Sequence, residues 1–476
     1  MKNNIFCFVT GLAVLLVLLD GCSVPAYTLR DPAANMPGNF YGDGDSANSA
    51  NINWRTYFED PYLIALIDTA LRNNQELNIM QLEIDIANNE VMARKGEYLP
   101  FVNIGAAAGL DKVGRYTRSG AVEEQLDIRE DEHFPEPLGE FSAGVLASWE
   151  VDVWRKLRNA RQSAASRYLA GIEGRNFMVT NLVAEIASSY YELMALDNLL
   201  GIIDQNIQIQ SDALNVVKQQ KDAAKVSQLA VNRFEAQLLN TRNLQFEVKQ
   251  RIVETENKIN FLTARYPTPI PRGSGSFLDI QTKAISSGVP AQLLVNRPDI
   301  REAELNLAAS KLDVKVARAN FYPSVDITAG LGFEAFNPVY LVQPESMLYN
   351  LAGDLMAPLV NRNAIKATYN TANAQQMQAV FTYEQTVLEA YVDVLNQLSK
   401  MDNYSKSYET KSQEVDILME SVGIANSLFY SARADYAEVL LTQREALEAK
   451  LELVEIKSQL LLARVNIYRS LGGGWK

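Results

Sequence analysis

Ser324-Val325-Asp326-Ile327-Thr328-Ala329-Gly330-Leu331-Gly332-Phe333 alternates strictly between apolar and small or polar residues. It follows Lys315-Val316-Ala317-Arg318-Ala319-Asn320-Phe321-Tyr322-Pro323, a helix pattern that ends at proline. The same plan occurs once before. Met92-Ala93-Arg94-Lys95-Gly96-Glu97-Tyr98-Leu99-Pro100 leads at the same offset into Val102, Ile104, Ala106, Ala108 and Leu110, interleaved with Asn103, Gly105, Ala107 and Gly109. Period-two alternation over about ten residues is a strand with one greasy and one polar face, the length expected of a transmembrane β-strand. A half-buried strand of a soluble protein has the same pattern, so alternation alone leaves both open. A second run follows in each copy: Phe141, Ala143, Val145, Ala147, Trp149 and Val151, then Tyr349, Leu351, Gly353 and Leu355. The chain thus offers four strands, read as two hairpins.

Polar stretches at 111–140 and 334–346 separate the strands of each pair and read as exposed loops. His133, the one histidine, sits in the first loop beside Asp131 and Glu132 and reads as a solvated loop residue, so no metal site is expected.

After each strand pair the period changes. Leu182, Ile186, Ser189, Leu193, Leu196, Leu200, Ile203, Ile207, Gln210, Leu214 and Val217 are spaced alternately by four and three. So are Val387, Tyr391, Val394, Leu398, Met401, Ser405, Tyr408, Ser412, Val415, Met419 and Val422. Sustained 3.5-residue spacing indicates coiled-coil packing. Polar turns at 222–227 and 431–435 fold each long helix back on a second one, giving two helical hairpins. At 1.5 Å per residue, a helix over 160–221 would reach roughly 90 Å. The cluster Tyr266-Pro267-Thr268-Pro269-Ile270-Pro271-Arg272-Gly273 breaks helix and connects the copies.

The resulting division is an export signal at 1–21, an extended tether at 22–53, a first repeat at 54–265, a connector at 266–296, a second repeat at 297–472 and a tail at 473–476. The signal begins with Lys2 and an apolar run too short to span a membrane comfortably at ~20 residues. It ends in Leu19-Asp20-Gly21-Cys22, which resembles a bacterial lipobox. That resemblance implies N-palmitoyl and S-diacylglycerol groups on Cys22, and Ser23 after it favours delivery to the outer membrane. Cys7 would leave with the signal, so no disulfide framework is expected. The 57 acidic and 44 basic residues give a net charge of −13, which argues against nucleic acid as a partner. No nucleotide loop, Cys/His cluster or nucleophile elbow is present in the sequence. The reading is therefore non-enzymatic, with no catalytic residue and no cofactor besides the covalent lipid.

Four strands cannot close a barrel, and open edges are not tolerated in lipid. If these are membrane strands, several chains must build one barrel. Three segments carry a specific likeness: Trp54 with Phe58-Glu59-Asp60-Pro61-Tyr62-Leu63, then Gly288-Val289-Pro290 with Asn296-Arg297-Pro298-Asp299-Ile300-Arg301, and Tyr468-Arg469-Ser470-Leu471-Gly472-Gly473-Gly474-Trp475. Over essentially the whole mature chain, the sequence resembles the TolC-like outer-membrane efflux lipoproteins, the NodT group. The resemblance implies a mixed α and β fold, a trimeric 12-stranded β-barrel with four strands per chain, and a long α-helical coiled-coil tunnel in the periplasm. It implies docking to a periplasmic adaptor and an inner-membrane proton-driven transporter of the RND type. The duct itself would be passive.

In that family the turn of the second hairpin lines the closed aperture. The matching positions are Ala437, Glu438, Leu441 and Arg444, with Leu441 standing where an aspartate is common; links from Tyr430, Arg433 and Asp435 would hold the turn. The competing expectation is that Glu438 and Arg444 decorate a solvated face while Leu441 packs in the coiled-coil seam. A duct for one-step (type I) protein secretion is the alternative function. A structural coiled-coil lipoprotein would leave the paired strands unexplained.

Overall fold

The computed structural model describes residues 26, 29–32, 36–40, 47–273, 277–280, 286–358, 362–431 and 433–475. The export signal and Cys22 lie outside them. The chain divides into two compact units: Met1–Asp31, Asp85–Leu169 and Leu305–Phe381 in one, Pro32–Ile84, Ala170–Glu304 and Thr382–Lys476 in the other.

The first unit holds one four-stranded antiparallel sheet: β1 Phe101–Asp111, β2 Leu138–Glu150, β3 Ser324–Ala335 and β4 Met347–Met356, in the order β1-β2-β3-β4. Pro100 and Pro323 stop the preceding helices because proline crowds the helical conformation of the residue before it. The expectation of two hairpins is thus extended, since β2 and β3 pair from Phe141↔Ala335 to Glu150↔Asp326 and join the copies into one sheet. The first loop is also more ordered than expected. It contains a short helix, Arg118–Glu123, N-capped by Thr117, and a ribbon of Asp127–Arg129 with Glu132–His133. His133 is exposed, and its Nδ1 lies 2.8 Å from Asp127.

Residues read as a loose tether are fastened within this unit. The Tyr369 hydroxyl donates to the Ala26 carbonyl at 2.8 Å, Gln376 Nε2 donates to the Arg30 carbonyl at 2.8 Å, and Lys311 pairs with Asp31 at 2.6 Å. Gln376 is fully buried, so its amide gains from these backbone partners what it loses in hydration.

The long helices are α1 Pro61–Asn73, α2 Gln75–Glu97, α3 Lys156–Asp222, α4 Gln228–Leu262, α5 Pro298–Ala319, α6 Asn363–Tyr430 and α7 Tyr436–Ser470. In the first hairpin every expected seam position is buried or half-buried, from Leu182 to Val217. The second hairpin corrects the expectation: Ser405 and Met419 are exposed, and the buried side beyond Val415 runs through Leu418 and Ala425. Tyr408, Ser412 and Val415 after Ser405, and Val422 after Met419, are again buried or half-buried, so the departures are local and the 3.5-residue seam continues past them.

In the second unit the three segments of specific likeness meet. The Tyr57 and Tyr468 rings stack at 4.0 Å, the Tyr468 hydroxyl donates to the Ile52 carbonyl at 2.6 Å, and Tyr57 donates to the Arg464 carbonyl at 3.0 Å. Asp60 caps α1 and accepts from Tyr190 at 2.7 Å. Arg297 is buried; it grips the Asp299 carboxylate with two nitrogens at 3.0 and 2.7 Å and donates to the Ser470 carbonyl at 2.9 Å. Gly472 adopts a φ of +88°, and a Cβ there would stand 2.5 Å from the Asn296 carbonyl oxygen, so only glycine serves. Trp475, read as tail, donates its indole N–H to the same carbonyl at 3.2 Å. The connector is likewise bound down, with Arg272 bridging Asp197 on α3 and Glu256 on α4.

Burial pushes the Tyr57 and Tyr191 hydroxyls up to about 12, against roughly 10 in an unfolded chain. The folded state then holds protons that the unfolded state has released. Stability is fully present below pH ~10 and falls as pH rises from there toward 12, by up to about 1.4 kcal/mol per unit for each tyrosine. Alkaline unfolding followed by helical circular dichroism is expected to be blunted in Tyr57→Phe; an unchanged slope above pH ~10 would count against this assignment.

Candidate functional site: the two sheet faces and the second hairpin turn

Register sorts the sheet by face. Ile104, Val145, Leu331 and Tyr349 form one cross-strand row, and Val102, Ala147, Ala329 and Leu351 the next. With Phe141, Trp149, Val325 and Phe333 in the same parity, one face is apolar throughout. The other face carries Asn103, Ser142, Ser148, Thr328 and Asn350, and every charged strand residue: Asp111, Glu140, Glu150, Asp326, Glu334 and Asp354. All are carboxylates, and none of the four strands of this sheet contains Lys or Arg. An apolar face without charge suits hydrocarbon, while a face of hydroxyls, amides and carboxylates needs water.

Glycines set the shape of the polar face. Gly105, Gly144 and Gly332 lie in one cross-strand row. A Cβ on Gly144 would meet the Leu331 carbonyl oxygen at 2.8 Å and Gly332 Cα at 2.9 Å. Backbones this close permit curvature that side chains would prevent. The outer strands are bare: every residue of β1 and β4 is exposed, whereas β2 and β3 are largely half-buried. Among the described residues the outer edges of β1 and β4 have no partner strand.

The turn at 431–435 is closed by backbone bonds, Arg433 N–H to the Leu428 carbonyl at 2.8 Å and Glu438 N–H to the Asp435 carbonyl at 3.2 Å. Tyr436 and Leu440 on the first turns of α7 pack on Leu214, Val217, Val231 and Phe234 at the tip of the first hairpin. Glu438, Leu441 and Arg444 are exposed and Ala437 half-buried, and 437, 441 and 444 fall on one stripe of α7. Leu441, 47% exposed, is not in the seam; Val439, with Tyr436 and Leu440 beside it, takes that side. Arg444 reaches Glu448 on its own helix at 3.7 Å. Among the described residues, the side chains of Tyr430, Arg433 and Asp435 make no hydrogen bond or ion pair to another helix: Tyr430 is 71% exposed and Asp435 makes no side-chain cap bond. Among the described residues, a side-chain link between α6 and α7 near the turn is Gln443 Nε2 to Asn426 Oδ1 at 3.4 Å, which the sequence reading did not anticipate.

Also unanticipated is a pairing that both copies share where helix meets strand. The Arg158 guanidinium lies over the Tyr98 ring at 5.7 Å, and Arg362 over the Phe321 ring at 4.9 Å. The aligned Tyr98 and Phe321 hinted at this, but their cationic partners are remote in sequence.

The family model for "Outer membrane efflux protein" matches residues 66–265 and 289–473. The solvent efflux pump outer membrane protein SrpC of Pseudomonas putida is 27% identical over 470 residues, covering 97% of each chain. The probable outer membrane lipoprotein SilC of Salmonella typhimurium is 26% identical, over 96% of this chain and 97% of its own. The outer membrane channel MtrE of Neisseria gonorrhoeae, solved in its open state, superimposes with a TM-score of 0.83 at 22% identity, over 95% of this chain and 98% of that one.

The glycine row yields a paired expectation. Gly144→Ala should lower stability by about 1–3 kcal/mol, because its neighbours there are backbone atoms that cannot step aside. Gly105→Ala, with nothing within 4 Å of its added Cβ, should stay within about 0.5 kcal/mol. Thermal loss of the strand signal in detergent compares the two, and equal effects would discard the close-approach argument.

Proposed function

The chain belongs to the outer membrane efflux protein family, and from that premise we propose that three copies unite their sheets into one twelve-stranded barrel with a periplasmic tunnel of long helices. It is an efflux channel of the outer membrane. The observation that carries a barrel shared between chains is the pair of unpaired strand edges flanking a sheet with one apolar and one carboxylate-bearing face; the count of three is what the family resemblance implies. Each exposed backbone group in hydrocarbon costs several kcal/mol, so the edges must meet other edges. The polar faces then line a water-filled path. Solutes pass without chemistry, delivered by an inner-membrane RND transporter through a periplasmic adaptor that docks at the helical end.

Two further parts complete the reading. Cys22 becomes the acylated N-terminus; its support is the apolar run ending at Leu19-Asp20-Gly21-Cys22, together with the fastening of Ala26 only four residues later. The turn of the second hairpin forms the aperture, where Ala437, Glu438, Leu441 and Arg444 from three copies approach one another. With Leu441 in place of a second acidic position, Glu438 supplies the ring of like charge. Tyr430, Arg433 and Asp435, unlinked to other helices within one chain, are free to bind neighbouring copies and hold the aperture narrow.

Native mass spectrometry of the protein extracted in mild detergent should find three subunits, each heavier than the Cys22-cleaved chain by one diacylglyceryl and one acyl group. A stable monomer would sink the shared barrel, and an unmodified Cys22 thiol would sink the anchor. In planar bilayers, Glu438→Ala should reduce the preference for cations by roughly twofold or more, and joint replacement of Arg433 and Asp435 by Ala should raise conductance. If both variants conduct like the native channel, the aperture lies elsewhere.

A further inference from the structure

We propose that the helix-side rim of the sheet binds the phosphate headgroups of anionic phospholipids, an inference that rests on the apolar face being turned to lipid. That face ends at Trp149, whose indole N–H donates to the Tyr98 carbonyl at 3.1 Å. An aromatic ring with an apolar body and a satisfied polar tip is suited to the boundary between hydrocarbon and headgroups.

Immediately beyond this boundary the charge changes sign. Between 155 and 169 every charged residue is basic: Arg155, Lys156, Arg158, Arg161 and Arg167. Between 362 and 381 the charged residues are Arg362 and Lys366. At the opposite end of the strands, the loop at 112–137 carries seven carboxylates against four cations. In a chain of net charge −13, such a basic band is a local arrangement and not a reflection of overall composition.

Part of the band is neutralised internally. Lys156 pairs with Glu150, Arg158 with Asp152 at 3.1 Å, and Arg167 with Asp313. Lys95, Arg155, Arg161, Lys315 and Lys366 are exposed and have no carboxylate within 4.0 Å among the described residues. Those on helices lie within about 8 Å, along the axis, of the helix end that meets the sheet. Neither α3 nor α6 has an acidic residue in its first turn. Cations near the positive end of a helix dipole are unfavourable alone and become favourable once an anion sits among them.

The anion is the headgroup of a lipid in the leaflet facing the periplasm. A soluble phosphate would gain the charge attraction alone. A phospholipid gains it while its chains lie on Val102, Val325 and the rest of the apolar face, so both contacts are made at once. Each unpaired Lys or Arg should strengthen retention roughly fivefold near an anionic surface.

The test is lipid retention by the full chain in nanodiscs of phosphatidylcholine mixed with phosphatidylglycerol, read by mass spectrometry of the bound lipid. The native protein should enrich phosphatidylglycerol. The triple variant Arg161→Gln, Lys315→Gln, Lys366→Gln should lose most of that enrichment while conducting normally in phosphatidylcholine bilayers. Salt should weaken the enrichment, and inorganic phosphate at the same ionic strength should do so no more than chloride. Equal enrichment in the variant, or none in the native protein, overturns the proposal; displacement by phosphate alone reassigns the rim to a soluble anion and overturns it as well. A native protein that conducts but shows no lipid preference removes this inference and leaves the duct standing, whereas one that neither assembles nor conducts removes the duct itself.

Discussion

A hydrogen-bonded sheet with two open edges cannot rest in hydrocarbon, and the architecture of this channel follows from that constraint. Within the chain, β2 and β3 satisfy one another, while β1 and β4 each leave a row of backbone donors and acceptors unmet. Water can satisfy such a row and lipid cannot. The segregation of all six strand carboxylates to one face meets the same demand in the other direction, since a carboxylate is far more costly to strip of water than an amide. The faces decide which side must be wet, and the edges decide that one chain is not enough.

The helical unit answers a different requirement, which is to hold long, thin elements in register. Seam packing fixes each hairpin along its length but can slide by a heptad. Contacts without a period prevent sliding. Arg297 ties the start of α5 to the carbonyl of Ser470 at the end of α7, and Arg272 ties the connector to α3 and α4. The conspicuous terminal glycines therefore belong to packing: Gly472 and Trp475 both converge on the Asn296 carbonyl. In this chain, a motif that marks the family this clearly is a structural clasp.

The strands were legible because alternation with a period of two cannot be confused with a helix; their observed limits differ from the alternating runs by three residues at most. The first hairpin was legible because a sustained 3.5-residue repeat keeps one stripe of a helix buried, with Leu182 to Val217 all on the buried side. The second was legible apart from Ser405 and Met419, which are exposed, with Leu418 packing on the buried side next to Met419. For the aperture, the sequence located the turn to the residue and offered two orientations for Leu441, whose side chain is exposed within the single chain. The fastening of Arg30 by Gln376, and the guanidinium groups over Tyr98 and Phe321, were not legible, because each joins positions distant in sequence with no repeating signal between them.

The internal duplication has a geometric corollary. Phe101 opposes Ser148 at the start of one strand pair and Ser324 opposes Met356 at the start of the other, so the two copies are built in the same register. The joint between β2 and β3 is then the joint of copy to copy, made in cis. Closing the ring asks β4 of one protomer to meet β1 of the next in the same manner, made in trans. A barrel closed by three copies would in this sense be quasi-sixfold, each protomer carrying in its own middle a template of the seam proposed between neighbours.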